Sequence, residues 1–118
     1  MDIDILKSNN IDVDSGIEIL GDLEIYNDIL NDFYAEAEER ILNLDEYKNN
    51  SDLENYAILV HAIKGDSKYL GFNKLADMAL EHQLRSQDKD LDYVNDKYDD
   101  LVSEFNRIIS VIKEYLDS

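Results

Sequence analysis

Cysteine, proline and tryptophan are missing from this chain of 118 residues, glycine occurs only four times, and cations are scarce, with 11 lysines and arginines against 28 aspartates and glutamates. Without cysteine there is no disulfide, no thiol nucleophile and no thiolate-bound zinc. With no proline and little glycine, few residues punctuate the chain. Its long stretches of Leu, Ile, Asp, Glu and Lys lack the Val/Thr-rich alternation of strands. An all-helical protein is predicted. The formal net charge of −17 repels phosphate backbones and anionic headgroups, so no nucleic acid and no membrane surface is expected as a partner. Helices that solvate their own outer faces explain most of that charge.

No uninterrupted apolar run approaches the roughly 18 residues of a membrane span. The opening "MDIDILKSNN" has no basic region followed by an apolar stretch. A soluble cytoplasmic protein is the expectation. Hydrophobic residues make up 44% of the sequence, enough for one modest core, so residues 1–118 are read as a single domain with a short irregular N-terminus at 1–12.

Periodicity then divides the chain. Ser15 and Glu18 have capping-box spacing and predict a short helix near 15–20. Asp22 can cap a longer one, in which Leu23, Tyr26, Leu30, Phe33, Ala37, Ile41 and Leu44 recur at three- and four-residue steps. Ser51 and Glu54 repeat the capping-box spacing before a helix from about Asp52 to Leu70, with Gly71 placed to close it. Asn73 can cap a fourth, carrying Leu75, Met78, Ala79, Leu80 and Leu84. A fifth runs from about Leu91 through Tyr115. Four substantial helices joined by short polar links predict an antiparallel up-and-down four-helix bundle with one short additional N-terminal helix.

The helix containing "HAIKGDSKYLG" holds the informative anomaly, because Gly65 stands inside it, where glycine costs about 1 kcal/mol relative to alanine. On a helical wheel Leu59, Leu70, Ile63, Tyr56, Ser67 and Val60 form one largely apolar stripe, and His61 lies nearly opposite its centre. Ala57 and Gly65, one turn below and one turn above the imidazole, leave room beside it. Lys64 and Lys68 add a cationic strip to an anionic protein, suited to an anion held on the ring. An exposed histidine flanked by lysines is also ordinary surface chemistry. The glycine in mid-helix weighs toward function, since a residue with a local cost usually has a packing or functional reason.

"VHAIKGDSKYLG" resembles the active-site signature of the histidine-containing phosphotransfer (HPt) family of two-component phosphorelays. His61, Ile63, Lys64, Gly65, Ser67, Leu70 and Gly71 all fit it. "GIEILGDLEIYNDILNDF" is similar to the family's approach to the preceding helix, and "LADMALEHQLR" to the helix that pairs with the histidine helix. The resemblance covers about residues 10–116 and carries the same bundle fold.

It implies that His61 accepts a phosphoryl group on a ring nitrogen, expected to be Nε2, from the phospho-aspartate of a receiver domain and passes it to another receiver. Lys64 would steady the phosphoryl oxygens, Gly65 would give the receiver clearance, and Gln83 would hydrogen-bond the phosphate. Gln83 can equally be read as an ordinary exposed helix residue. Ala57, Ile58 and Lys68 would form the docking surface, an apolar centre with a charged rim. The partners implied are response-regulator receiver domains and a hybrid histidine kinase. The chain would be a monomeric phosphocarrier without autokinase activity and without a cofactor of its own, the Mg²⁺ belonging to the receiver. No phosphate-binding glycine loop contradicts this. Asp66 departs from the family's usual Ser or Ala, and Tyr69 from a smaller residue. His82 is expected to be structural, and two histidines on different helices are too few for a metal site. A non-catalytic helical module that only binds a signalling partner remains the alternative, and a histidine-kinase relic whose bundle forms across two chains is a third reading.

Overall fold

The computed structural model describes residues 1–118, which form six helices: α1 (Ile3–Ser8), α2 (Val13–Leu20), α3 (Leu23–Asn49), α4 (Leu53–Leu70), α5 (Asn73–Gln87) and α6 (Leu91–Asp117). The chain is all-helical. At a rise of about 1.5 Å per residue a helix of 27 residues is about 40 Å long. The longest dimension of the molecule is 40 Å, so α3 and α6 run its full length.

Part of the acidic surplus starts these helices. Asp2, Asp12, Asp22, Asp52 and Asp90 each accept a hydrogen bond from a backbone N–H in the first turn that follows. Such caps satisfy otherwise orphaned donors and place a negative charge at the positive end of the dipole, worth about 1 kcal/mol apiece. The two predicted capping boxes are therefore not used. Ser15 sits inside α2 with its N–H bonded to Asp12, and Ser51 adopts φ +54 in the turn that ends α3, leaving the cap to Asp52. Asn73 is likewise the first helical residue of α5 rather than its cap.

Two boundaries move for tertiary reasons. Residues 1–12 were expected to be irregular, yet α1 forms there, its Leu6 fully buried along with Ile11 just beyond it. Asp2 N–H donates to Ser118 Oγ at 2.7 Å, and Arg107 Nη1 on α6 donates to the Asn9 carbonyl at 3.0 Å, so the C-terminal helix holds this segment. There are thus two short N-terminal helices rather than one. The other change extends α3 from the expected Leu44 to Asn49, where the Lys48 ammonium lies 4.7 Å from the centre of the Tyr98 ring.

The core is aromatic at its middle. Phe33 of α3 meets Phe72 edge-on at 5.1 Å and Phe105 of α6 in a stack at 5.4 Å. Gly71 closes α4 at φ +83, with the Asp12 N–H donating to its carbonyl at 3.0 Å, which seats the start of α2 on the end of α4. Tyr26 of α3 donates its hydroxyl to the Leu70 carbonyl at 2.8 Å in the same buried corner, and burial raises that phenol well above its usual range. These ties hold α4 by its C-terminal end and leave its opposite flank outward.

Candidate functional site

The buried side of α4 follows the predicted stripe: Tyr56, Val60, Ile63, Ser67 and Leu70 are inside, with Leu59 half-buried. The residues facing away from that stripe are consequently presented to solvent. His61 is exposed in the middle of the outward flank, with Lys64 half-exposed one turn on and Lys68 exposed beyond it. Neither lysine is engaged in an ion pair, in contrast to Arg40, Lys74, Arg85 and Arg107. Two free ammonium groups therefore lie along the histidine's side of the helix.

Gly65 gives the clearest geometric result. A Cβ built there meets no heavy atom within 4 Å, and its φ is not positive. Neither packing nor backbone conformation within this chain requires glycine at the position. Gly16 and Gly71 differ from it: a Cβ at Gly16 would stand 2.6 Å from Tyr26 Cε2, and one at Gly71 would collide with the Asp12 backbone. Those two glycines serve the fold.

Gln83 reaches across from α5. Its Oε1 lies 3.1 Å from His61 Nδ1, so the side chain is half-buried against the imidazole and is not an ordinary exposed glutamine. A carbonyl oxygen can only accept, which requires the proton on Nδ1 and leaves the Nε2 lone pair unengaged in the neutral ring. The contact is made to the ring itself.

Among the expected surface residues, Ile58 is 63% exposed. Ala57 is not on the surface: it is 7% exposed, because its side of α4 turns toward α5, where it lines a groove with Ser86 and Leu91. Leu84, one of the apolar residues that α5 carries, is 47% exposed, and on the α5 wheel it falls opposite the buried Leu75, Ala79, His82 and Ser86. That wheel was available in the sequence, provided that His82 and Ser86 were counted as interior residues. Leu84 follows Gln83 directly and adds an exposed apolar side chain to the outer face of α5.

The two departures from the family pattern also find their places. Asp66 Oδ2 lies 2.8 Å from Arg40 Nη1, an ion pair by distance without an aligned hydrogen bond, and Arg40 also approaches Glu36 at 3.3 Å. Asp66 thus joins α4 to α3 away from the imidazole. Tyr69 is half-exposed two turns beyond His61.

A family model described as "Hpt domain" matches residues 28–113, well over half of the chain and all of α4 and α5. No curated protein and no solved structure matches. Domains of this family are phosphocarrier modules rather than catalysts, acting with receiver domains and histidine kinases in two-component signalling. No helix here is long and apolar enough to cross a membrane. With the sequence signature on an outward helix flank and the family match extending through the helices around it, this chain belongs to the Hpt domain family of phosphotransfer proteins.

Proposed function

We propose that His61 is the phosphoacceptor, taking a phosphoryl group on Nε2 from the phospho-aspartate of one receiver domain and delivering it to another. The observation that carries this reading is the Gln83 contact at His61 Nδ1, made beside a glycine whose missing side chain nothing in the chain replaces. Held in that tautomer, the ring offers Nε2 as a nucleophile. The acyl-phosphate P–O bond breaks as the N–P bond forms, and the electron pair leaves on the aspartate carboxylate.

Phosphoryl transfer depends mainly on positioning and on stabilising the equatorial oxygens. This chain contributes the oriented imidazole and the Lys64 and Lys68 ammonium groups, with Lys64 nearer the ring in sequence. In this reading the chain needs no cofactor of its own: the receiver's acid cluster would hold the Mg²⁺, which together with the receiver's lysine would supply the further charge stabilisation. Gly65 gives the receiver's active site its clearance, while Ile58 and Leu84 supply apolar contact on either side. The four long helices form an antiparallel up-and-down bundle, with α1 and α2 appended. Support for this comes from Lys48, near the end of α3, lying on Tyr98 near the start of α6, while Asn27 near the start of α3 accepts from Tyr115 near the end of α6. The protein acts as a cytoplasmic monomer between receivers, or between a hybrid histidine kinase and a receiver.

Incubation with a phosphorylated receiver from the same organism tests the assignment. An acid-labile, alkali-stable phosphate is expected on the wild-type protein and not on His61→Gln. A wild type that binds its receivers but gains no phosphate would leave a binding module as the correct description.

A further inference from the structure

His61 has a buried counterpart. His82 is 1% exposed, one residue before Gln83, and its Nδ1 lies 2.9 Å from the hydroxyl of Tyr56, which is itself fully buried on α4. On its other side the Tyr93 ring of α6 packs against it edge-on at 5.3 Å. One imidazole therefore ties three helices together. The Tyr56 hydroxyl can donate to Nδ1 of the neutral ring that carries its proton on Nε2.

The consequence lies one residue away. Adjacent residues on a helix differ by about 100° in direction, so His82 pointing inward between α4 and α6 fixes where Gln83 points. Gln83 has two side-chain torsions beyond χ1 and no second hydrogen bond of its own side chain, so its reach to His61 depends on where α5 sits against α4. Tyr56 and His61 are on the same helix, five residues apart. The Tyr56–His82 bond thus sets the α5 backbone at the level from which Gln83 meets His61. The Ser86 hydroxyl reinforces this turn of α5, donating to the carbonyls of His82 at 2.7 Å and Gln83 at 3.0 Å.

We infer that Tyr56 and His82 are positioning residues for the phosphoacceptor: their buried hydrogen bond holds Gln83 on His61 Nδ1 and thereby selects the tautomer that leaves Nε2 free. This deepens the proposed role of His61 and rests on it for its use, but the tautomer can be read without any phosphoryl transfer. The ring is neutral in this arrangement. Burial pushes the His82 imidazole below its ordinary range, against the opposing effects of the Lys97 backbone and the carboxylates of Glu81 and Asp100. The other groups facing this corner are the phenols of Tyr56 and Tyr93, with the Arg85 guanidinium over the outer face of Tyr93 at 4.9 Å.

The test is the imidazole ¹⁵N spectrum of His61 at pH 7.5 in the wild type, Tyr56→Phe, His82→Gln, Gln83→Ala and the double variant Tyr56→Phe/Gln83→Ala. Tyr56→Phe keeps the buried ring and removes only the hydroxyl. The Nδ1–H to Nε2–H ratio of His61 is expected to fall about fivefold in Gln83→Ala, the equivalent of one neutral hydrogen bond. It is expected to fall in the same direction in Tyr56→Phe and His82→Gln. The double variant should be no lower than Gln83→Ala, because the pair acts through Gln83 and the effects then do not add. A folded Tyr56→Phe with the wild-type ratio overturns the inference, as does a double variant in which the two effects add. Phosphorylation by a receiver is measured on the same samples. Absence of transfer in the wild type defeats the phosphocarrier reading while the ¹⁵N ratios still judge the clamp.

Discussion

Replacing Gly65 by alanine pulls stability and function in opposite directions. In the folded protein the new methyl meets nothing within 4 Å, the backbone is ordinary helix, and no neighbour has to move. The folded state therefore bears no steric cost, while the unfolded chain loses the extra freedom of glycine, a gain of about 0.8–1 kcal/mol in a helix interior. For a chain of this size that corresponds to a rise in Tm of about 3–6 °C. Thermal unfolding followed by circular dichroism reads this directly. Transfer from a phospho-receiver should fall, because the methyl occupies the clearance beside His61. At the roughly 1–3 kcal/mol typical of overpacking a close contact, the rate drops about 5- to 150-fold, and Gly65→Gln drops further. Phosphorylation by phosphoramidate, a donor small enough to avoid the methyl, should change little. The reasoning is refuted if Gly65→Ala is destabilised, which would mean an internal role for the glycine, or if the stabilised variant exchanges phosphate with its receiver at the wild-type rate.

Gly71→Ala should behave in the contrary way, losing about 2–5 kcal/mol in urea unfolding, because a left-handed φ of +83 costs about 1–2 kcal/mol and the Cβ also displaces the Asp12 backbone from its hydrogen bond. Ile58→Glu should leave stability within about 0.5 kcal/mol, since the side chain is 63% exposed, and should slow receiver-to-His61 transfer at least tenfold; unchanged transfer kinetics would remove Ile58 from the docking surface. Tyr26→Phe strands the Leu70 carbonyl in a buried corner and should destabilise by about 1–3 kcal/mol, checked by urea unfolding. The depressed His82 pKa makes the unfolded state the better proton acceptor, so its contribution to stability is complete above about pH 6.5 and is lost as the pH falls through the folded-state value. Unfolding free energies measured from pH 7.5 to 5 should accordingly fall less steeply in His82→Gln than in the wild type.

Residue choice along the chain carried a good deal of this protein on its own. The Leu, Phe and Tyr spacing of α3 and the apolar stripe of α4 are periodic over several turns, long enough to specify both the helix and its buried side. The same periodicity put His61 outward, and Gly71 marked the end of its helix because a left-handed closing residue has a strong local preference for glycine. Gly65 was also legible as an anomaly, since its cost is local and so visible without a fold.

What the sequence left undecided depends on residues far apart in the chain. Helix α1 is too short to show a period, and it is held by Arg107 and Ser118 from the other terminus. The capping-box spacings at Ser15 and Ser51 competed with aspartates three and one positions away, and the geometry of the neighbouring turns decided for Asp12 and Asp52. Ala57, expected on the surface, is buried because a wheel orders residues around one axis and does not say on which flank the next helix lies. The contacts of Gln83 with His61 and of His82 with Tyr56 span 22 and 26 residues. Local propensity sets the direction of each side chain from its own helix, but only the packing of α5 against α4 brings these groups within hydrogen-bonding distance.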